Sequence, residues 1–278
     1  MSRPSVTTIA IKKVNALAIS EADDMLAAEE PLEIRLEYGP EGSRTQKSIS
    51  VTMRTPGNDF ELAAGFLYTE GIIHKMSDID AIKHCNGTNE NVVRVMLDSK
   101  TQPDISKLDR HFYTTSSCGV CGKSSIEAVR TVCNIPNTED DLQVSSASIY
   151  QLPHILRAHQ NVFESTGGLH ASALFDMEGS LLLTHEDVGR HNALDKLIGA
   201  ALEAEMLPLD NHILLLSGRA SFELIQKAMM AGIKIVAAVG APSSLAAQMA
   251  EENGMTLIGF LRGERFNIYS GTQRVIIS

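Results

Sequence analysis

A chain of 278 residues, 44% hydrophobic and 21% charged, can bury one large core or two modest ones, and this composition excludes the disordered class. A formal charge of −10, with no Trp, five Tyr and eight Phe, argues against general binding to nucleic acid or anionic membrane. No apolar run has the length to span a bilayer and none resembles a signal peptide, so the expected compartment is the cytoplasm, where Cys85, Cys118, Cys121 and Cys133 are expected to be reduced, metal-bound or catalytic.

The first thirty residues mix apolar and acidic groups (Glu21, Asp23, Asp24, Glu29, Glu30) and read as an edge element followed by a loop. Leu32 to Tyr38 alternates apolar with charged residues, as does Lys47 to Arg54, and the turn material Gly39-Pro40-Glu41-Gly42 between them predicts a hairpin. A helix follows. Asn58 and Glu61 have the spacing of a capping box, Phe60, Ala63, Ala64 and Leu67 share a face, and Gly71 is its expected stop. Val92 to Leu97 gives another strand, so residues 1–115 read as a smaller α+β domain.

Residues 116–146 form an expected cysteine loop and linker, with a short helix between Ser124 and Val132 and mobility around residues 112–124. The last part, 147–278, is the most legible. Ile149 to His159 has a helical apolar face, and Asp176-Met177-Glu178-Gly179 joins two strands of a hairpin (His170 to Phe175, Ser180 to Thr184). Helices and apolar strands then alternate. A helix runs from about Gly189 to Glu203, followed by strand Ile213 to Ser217 and helix Ser221 to Ala231. Strand Lys234 to Val239, helix Ser243 to Asn253 and strand Thr256 to Leu261 complete the run, with Gly232 and Gly254 closing the two later helices. Apolar strands separated by amphipathic helices predict a parallel sheet covered on both faces, which the hairpin makes mixed.

Cys118-Gly119-Val120-Cys121-Gly122 places two thiols two residues apart, a glycine after each. A thioredoxin-like redox pair requires a buried strand before it, and Arg110 to Ser117 does not read as one. A zinc site requires about four ligands, for which Cys85, Cys133, His84 or His111 would have to join the pair. Sulfur transfer requires an exposed thiolate on a loop that reaches donor and acceptor; the glycines give that freedom and Lys123 favours the thiolate. Cys85 and Cys133 read as ordinary thiols.

In open α/β sheets, ligands lie outside the carboxyl ends of the parallel strands. Those ends here carry His185, Arg190 and His191, then Ser217, Arg219 and Ser221, then Ser243 and Ser244, then Arg262 and Arg265. In an acidic chain this predicts a site for a phosphate-bearing ligand, held by arginine forks and helix-start amides. Asp187 is placed to cap its helix, and His191 and Asp195, four apart, can pair.

Together, the cysteine pair, Thr166-Gly167-Gly168-Leu169-His170-Ala171, the run His185 to Lys196, Ser217-Gly218-Arg219-Ala220-Ser221 and Gly259 to Arg265 resemble the FdhD/NarQ family of formate dehydrogenase accessory sulfurtransferases. The resemblance extends from about Leu32 to the C-terminus. It implies an α/β fold of three-layer αβα type, with a cytidine deaminase-like mixed sheet, and a homodimer. It also implies an enzyme that takes sulfur from a cysteine desulfurase as a persulfide on Cys118, with Cys121 assisting. The sulfur passes to the molybdenum cofactor, bis(molybdopterin guanine dinucleotide), before that cofactor enters formate dehydrogenase. Phe260, Leu261, Arg262, Gly263, Glu264 and Arg265 would contact the cofactor. The histidines, serines and arginines at the other strand ends would hold its guanine nucleotide part. The deaminases' zinc signature has H-x-E and P-C-x-x-C. Here His185 is followed directly by Glu186 and Ser117 precedes Cys118, so no permanently bound metal is expected. A zinc-dependent deaminase-like enzyme and a cofactor chaperone without chemistry are the alternatives.

Overall fold

The computed structural model describes residues 4–85, 90–104 and 141–277. Cys118, Cys121, Cys133, His111, the segment 112–124 and the helix expected at 124–132 lie outside them.

The chain opens with two ten-residue strands, β1 (Val6–Asn15) and β2 (Ala18–Ala27), paired antiparallel from Val6 with Ala27 to Asn15 with Ala18. This corrects the expected edge element and loop. Nearly every side chain of the hairpin is exposed, so neither face imposes the period-two pattern that marks a half-buried strand.

Strands β3 (Glu30–Tyr38) and β4 (Thr45–Arg54) form the expected hairpin. With β5 (Ile79–His84) and β6 (Val92–Leu97) they make a sheet of order β4-β3-β6-β5, in which β3 and β6 run parallel. Helix α1 (Asp59–Thr69) covers one face, burying Leu62, Ala63 and Leu67 against Leu32, Ile34, Leu36, Val93 and Val95. Its start differs from expectation in two ways. Asn58 is left-handed (φ 55°) and donates to the Glu61 carboxylate at 2.8 Å instead of capping a backbone amide. Phe60 is 39% exposed and packs on the His84 ring rather than joining the buried face. The expected stop holds: Gly71 has φ 67°, and Ile72 N–H donates to the Leu67 carbonyl.

The second, six-stranded sheet has the order β13-β12-β11-β10-β8-β9, where β8 is His170–Phe175, β9 Leu181–Asp187, β10 Ile213–Leu216, β11 Ile235–Ala238, β12 Thr256–Arg262 and β13 Arg265–Ser270. β10, β11 and β12 are parallel; β8 and β13 run against them. Three helices, α4 (Arg190–Glu203), α5 (Phe222–Met230) and α6 (Ser244–Glu252), cover one face through Leu194, Leu197, Ile225, Ala228 and Ala250. Helix α2 (Ser146–His159) covers the other through Ile149, Leu152 and Leu156 and leads into the short α3 (Asn161–Thr166). Alternate residues of each strand feed alternate cores: Leu214 and Leu216 face the three helices, while Ile213 and Leu215 face α2. Strands β7 (Val144–Ser145) and β14 (Val275–Ile276) pair beside α2. Helices α1 and α4 pack against each other, with Gly65 and Gly199 at the contact, and so join the two sheets.

Candidate functional site

Because β9 runs parallel to β10, β11 and β12, the carboxyl ends of all four strands open on one edge, together with the starts of β8 and β13. The strand-end residues predicted from the sequence, His185 excepted, lie along that edge, but the cations do not close into one ring. Neighbouring strands are about 4.8 Å apart. Four such steps separate β9, which leads to Arg190 and His191, from β12, which ends in Arg262, so the two groups stand about 19 Å apart.

At the first group the chain from His185 to Lys196 is largely occupied in building its own frame. The Glu186 carboxylate accepts from Val162 and Phe163 N–H at 3.0 Å each, fixing the start of α3. Asp187 is fully buried and does not cap α4 in the expected way. It accepts from Gly189 N–H and the Asn192 amide through one oxygen, and through the other from Thr55 N–H, with Lys196 Nζ at 2.7 Å. Lys196 also donates to the Thr55 carbonyl, and Asn192 to that of Met53, which ties this turn to the end of β4. The expected His191–Asp195 pair is not formed. His191 Nε2 lies 2.8 Å from Glu223 Oε2 and 3.4 Å from Ser221 Oγ, whereas Asp195 turns inward to Lys227 and Thr69, each at 2.9 Å. Helix α5 carries both Glu223 and Lys227, so its packing decided both partners.

His185 stands apart from the other cations. It sits two residues inside β9, on the face toward α4, where its charged neighbours are Glu61 and Lys196. Ser217 Oγ accepts from Ala171 N–H, which joins the ends of β10 and β8, and Arg219 is exposed.

The second group is the tip between β12 and β13. Phe260 is 42% exposed with φ 55°, a backbone region that a residue with a Cβ seldom occupies. With Arg262, Arg265, Phe266 and Asn267 it lines a hollow of about 270 Å³. Gly263 (φ 53°) and Glu264 make the exposed turn. Leu261 is fully buried in the core shared with α2 and offers no side chain to a ligand at the edge.

Between the two groups is a larger cavity, about 590 Å³, that sequence reasoning did not find. Its lining includes Arg157, Gln160, Phe163, Gly168, His170 and Ser217. Arg157 lies over the Phe163 ring at 4.2 Å, and Gln160, only 6% exposed, has an amide nitrogen without a hydrogen-bond partner among the described residues. The diglycine and His170 gave a signal in the sequence. Arg157 and Gln160 gave none, because only the packing of α2 brings them there.

Burial holds His170 below the ordinary histidine pKa, and the cations of Arg190 and His191 reinforce the effect; burial does the same for His185. A histidine with a lower pKa folded than unfolded costs stability once the unfolded chain takes up the proton, that is, as pH falls through about 6.5. The melting temperature is therefore expected to decline from pH 7.5 to pH 5.5, and the double variant His170→Gln/His185→Gln to decline less. Parallel curves for the two proteins would refute this.

Among the described residues, no three His, Cys, Asp or Glu side chains gather as a metal would require. Of the zinc candidates, His84 packs on Phe60, and Cys85 is a partly buried free thiol.

Comparison with known proteins supplies the remaining finding. The model of the FdhD/NarQ family matches residues 27–276. A sulfur carrier protein FdhD of Mycolicibacterium paratuberculosis is 52% identical over 258 residues, covering 91% of this chain and 92% of that protein. One from Sulfurisphaera tokodaii is 42% identical over 272 residues, covering 98% and 99%. A crystal structure from Desulfotalea psychrophila, of a protein whose proposed role is accessory to formate dehydrogenase, shares the fold with a TM-score of 0.75. It is 24% identical and covers 98% of this chain and 100% of that one.

Proposed function

Because the chain belongs to the FdhD/NarQ family, we propose that it is a sulfur carrier for formate dehydrogenase, working as a sulfurtransferase through Cys118 and Cys121. The observation that carries this is the Cys118-Gly119-Val120-Cys121-Gly122 pair itself, in a chain whose relatives are named sulfur carriers. The donor is a cysteine desulfurase in the cytoplasm. The Cys118 thiolate attacks the outer sulfur of the donor's persulfide, the donor's cysteine leaves as thiolate, and Cys118 keeps the sulfur as its own persulfide. The Cys121 thiolate then attacks the Cys118 sulfur and expels the outer sulfur as sulfide toward the acceptor. The two thiols supply the two electrons and are left as a disulfide, which a cellular thiol reductant reopens.

The acceptor is the molybdenum cofactor with its two guanine dinucleotide arms, bound as substrate and not as a resident group. Its phosphates call for cationic donors on a surface that is acidic overall, and the strand edge concentrates them at Arg262 and Arg265 and at Arg190, His191 and Arg219. Phe260 offers an exposed ring beside Arg262 and Arg265 for a base to stack on. Helices on both faces of the mixed six-stranded sheet support assigning residues 147–278 to a cytidine deaminase-like domain, with 1–115 as a smaller α+β domain and 116–146 as the cysteine segment. Two copies of the chain act together.

Intact-mass measurement after incubation with a desulfurase and cysteine tests the carrier role. One added sulfur atom, removable by a thiol and mapped to Cys118, is expected. A chain that gains no sulfur, or that retains one zinc ion on the pair, refutes it.

A further inference from the structure

One wall of the larger cavity is thinly anchored. Gln160, Phe163, Gly167 and Gly168 all line it, and all belong to the stretch between Leu156 and Leu169, whose side chains are fixed in the interior. That stretch contains α3, a helix of six residues, which is too short to persist on its own backbone bonds. Val162 to Thr166 include no buried side chain, so no apolar face holds α3 to the body. Both ends of α3 are swivels. At Gln160 the backbone leaves helical geometry (φ −87°, ψ 74°), which uncouples α3 from α2. At Gly167 it is left-handed (φ 66°) with open space about it, and a Cβ on Gly168 would meet nothing closer than 3.8 Å. What holds α3 in place is polar. The Gln160 side chain does not cap it; the Glu186 carboxylate, at the end of β9, accepts from Val162 N–H on one oxygen and from Phe163 N–H on the other, each at 3.0 Å. A carboxylate there meets the free amides and the positive end of the helix together. Arg157, on the last turn of α2, lays its guanidinium over the Phe163 ring, and α3 also meets β2.

We propose that α3 is a hinged gate on this cavity and that Glu186 is the positioning residue that holds it shut over a bound ligand. Swinging α3 about Gln160 and Gly167 takes the Phe163 ring out of the cavity wall. The movement costs the two hydrogen bonds to Glu186 and the stacking of Arg157, and exposes no buried side chain of α3. The Gln160 amide couples the gate to its ligand. In the shut state its nitrogen is buried without a partner among the described residues, a cost that favours opening while the cavity is empty. A ligand that brings an acceptor oxygen to that nitrogen removes the cost and shifts the population toward the shut state. Glu186 then re-forms its bonds, and Phe163 closes behind what has entered.

The gate rests on the reading of the strand edge as a nucleotide site, and the probe is guanosine diphosphate with the full chain. Without nucleotide, hydrogen exchange read by mass spectrometry over residues 161–167 should be at least roughly tenfold faster in Glu186→Ala than in the wild type. Exchange of β8 and β9 and the melting temperature should not change. Saturating nucleotide should slow exchange over 161–167 in the wild-type chain. In stopped flow, Glu186→Ala should release the nucleotide about tenfold faster, with an association rate constant at least as large as that of the wild type. Glu186→Gln keeps the shape and offers a weaker acceptor, so it should fall between the two and guards against a folding defect in the alanine variant. A wild-type chain that binds no nucleotide overturns the reading of the edge and the gate with it. Nucleotide binding with equal release rates in all three proteins overturns only the gate. So does wild-type exchange that nucleotide leaves unmoved, or a fall in melting temperature shared by both variants, which would make Glu186 a structural brace.

Discussion

Cys118→Ala is expected to reduce activation of formate dehydrogenase by at least roughly 10³-fold in a host lacking its own copy of the protein, because the variant has no atom to carry the sulfur. Cys118→Ser should fail equally: a hydroxyl of similar size forms no persulfide. That equality separates a chemical role from a structural one, since serine would repair a simple loss of volume. Cys121→Ala should still load sulfur on Cys118 but deliver it slowly, since release of sulfide would then depend on an external thiol. The melting temperature of the Cys118 variants should stay at the wild-type value, because one small side chain is lost from a polar segment. Two results would end the sulfur relay: full activity of Cys118→Ala, or a large fall in stability accompanied by loss of a bound metal, which would assign the thiol to a structural centre.

Gly199→Ala should be strongly destabilising, at about 3 kcal/mol, or roughly 6–10 °C in melting temperature for a chain of this size. Where α1 crosses α4, a Cβ on Gly199 would collide with the Glu61 carbonyl oxygen, and one on Gly65 with that of Asp195. Both obstacles are backbone, which cannot turn aside as a flexible side chain can. The helices would have to separate, and the strain would reach the bonds that tie the start of α4 to the first sheet, from Asn192 to Met53 and from Lys196 to Thr55. Arg190 and His191 lie on that same first turn, so ligand affinity at the strand edge should fall along with stability. Gly168→Ala is the control: its Cβ would meet nothing closer than 3.8 Å, and a change within about 0.5 kcal/mol is expected. Equal melting of the wild-type and Gly199→Ala proteins in differential scanning calorimetry would show that the helices do not depend on this contact.

The parts of the fold legible in the sequence are those where one surface or one backbone position dictates the residue. β10, β11 and β12 read as unbroken apolar runs because both sheet faces are covered, and α1, α5 and α6 end where Gly71, Gly232 and Gly254 take up positive φ. The β1–β2 hairpin escaped notice because both its faces are exposed. β5 was missed because its burial is only partial along its length. At the site, the strand edge was foreseeable from strand order, but Arg157 and Gln160 reach it from the end of a helix on the far face and carry no local mark.

By itself the sequence determined the family, the thiol pair, the succession of strands and helices from β8 to β12, and which residues stand at the ends of those strands. These are properties of local pattern and motif spacing. Only the tertiary structure decided that Asp195 turns to Lys227 while His191 takes Glu223, that Asp187 binds Lys196 and Thr55, and that the cations gather in two groups rather than one. Helical spacing tells which side chains share a face. The partner a buried charge finds depends on which neighbouring element packs against that face, and so on contacts between residues far apart in the chain.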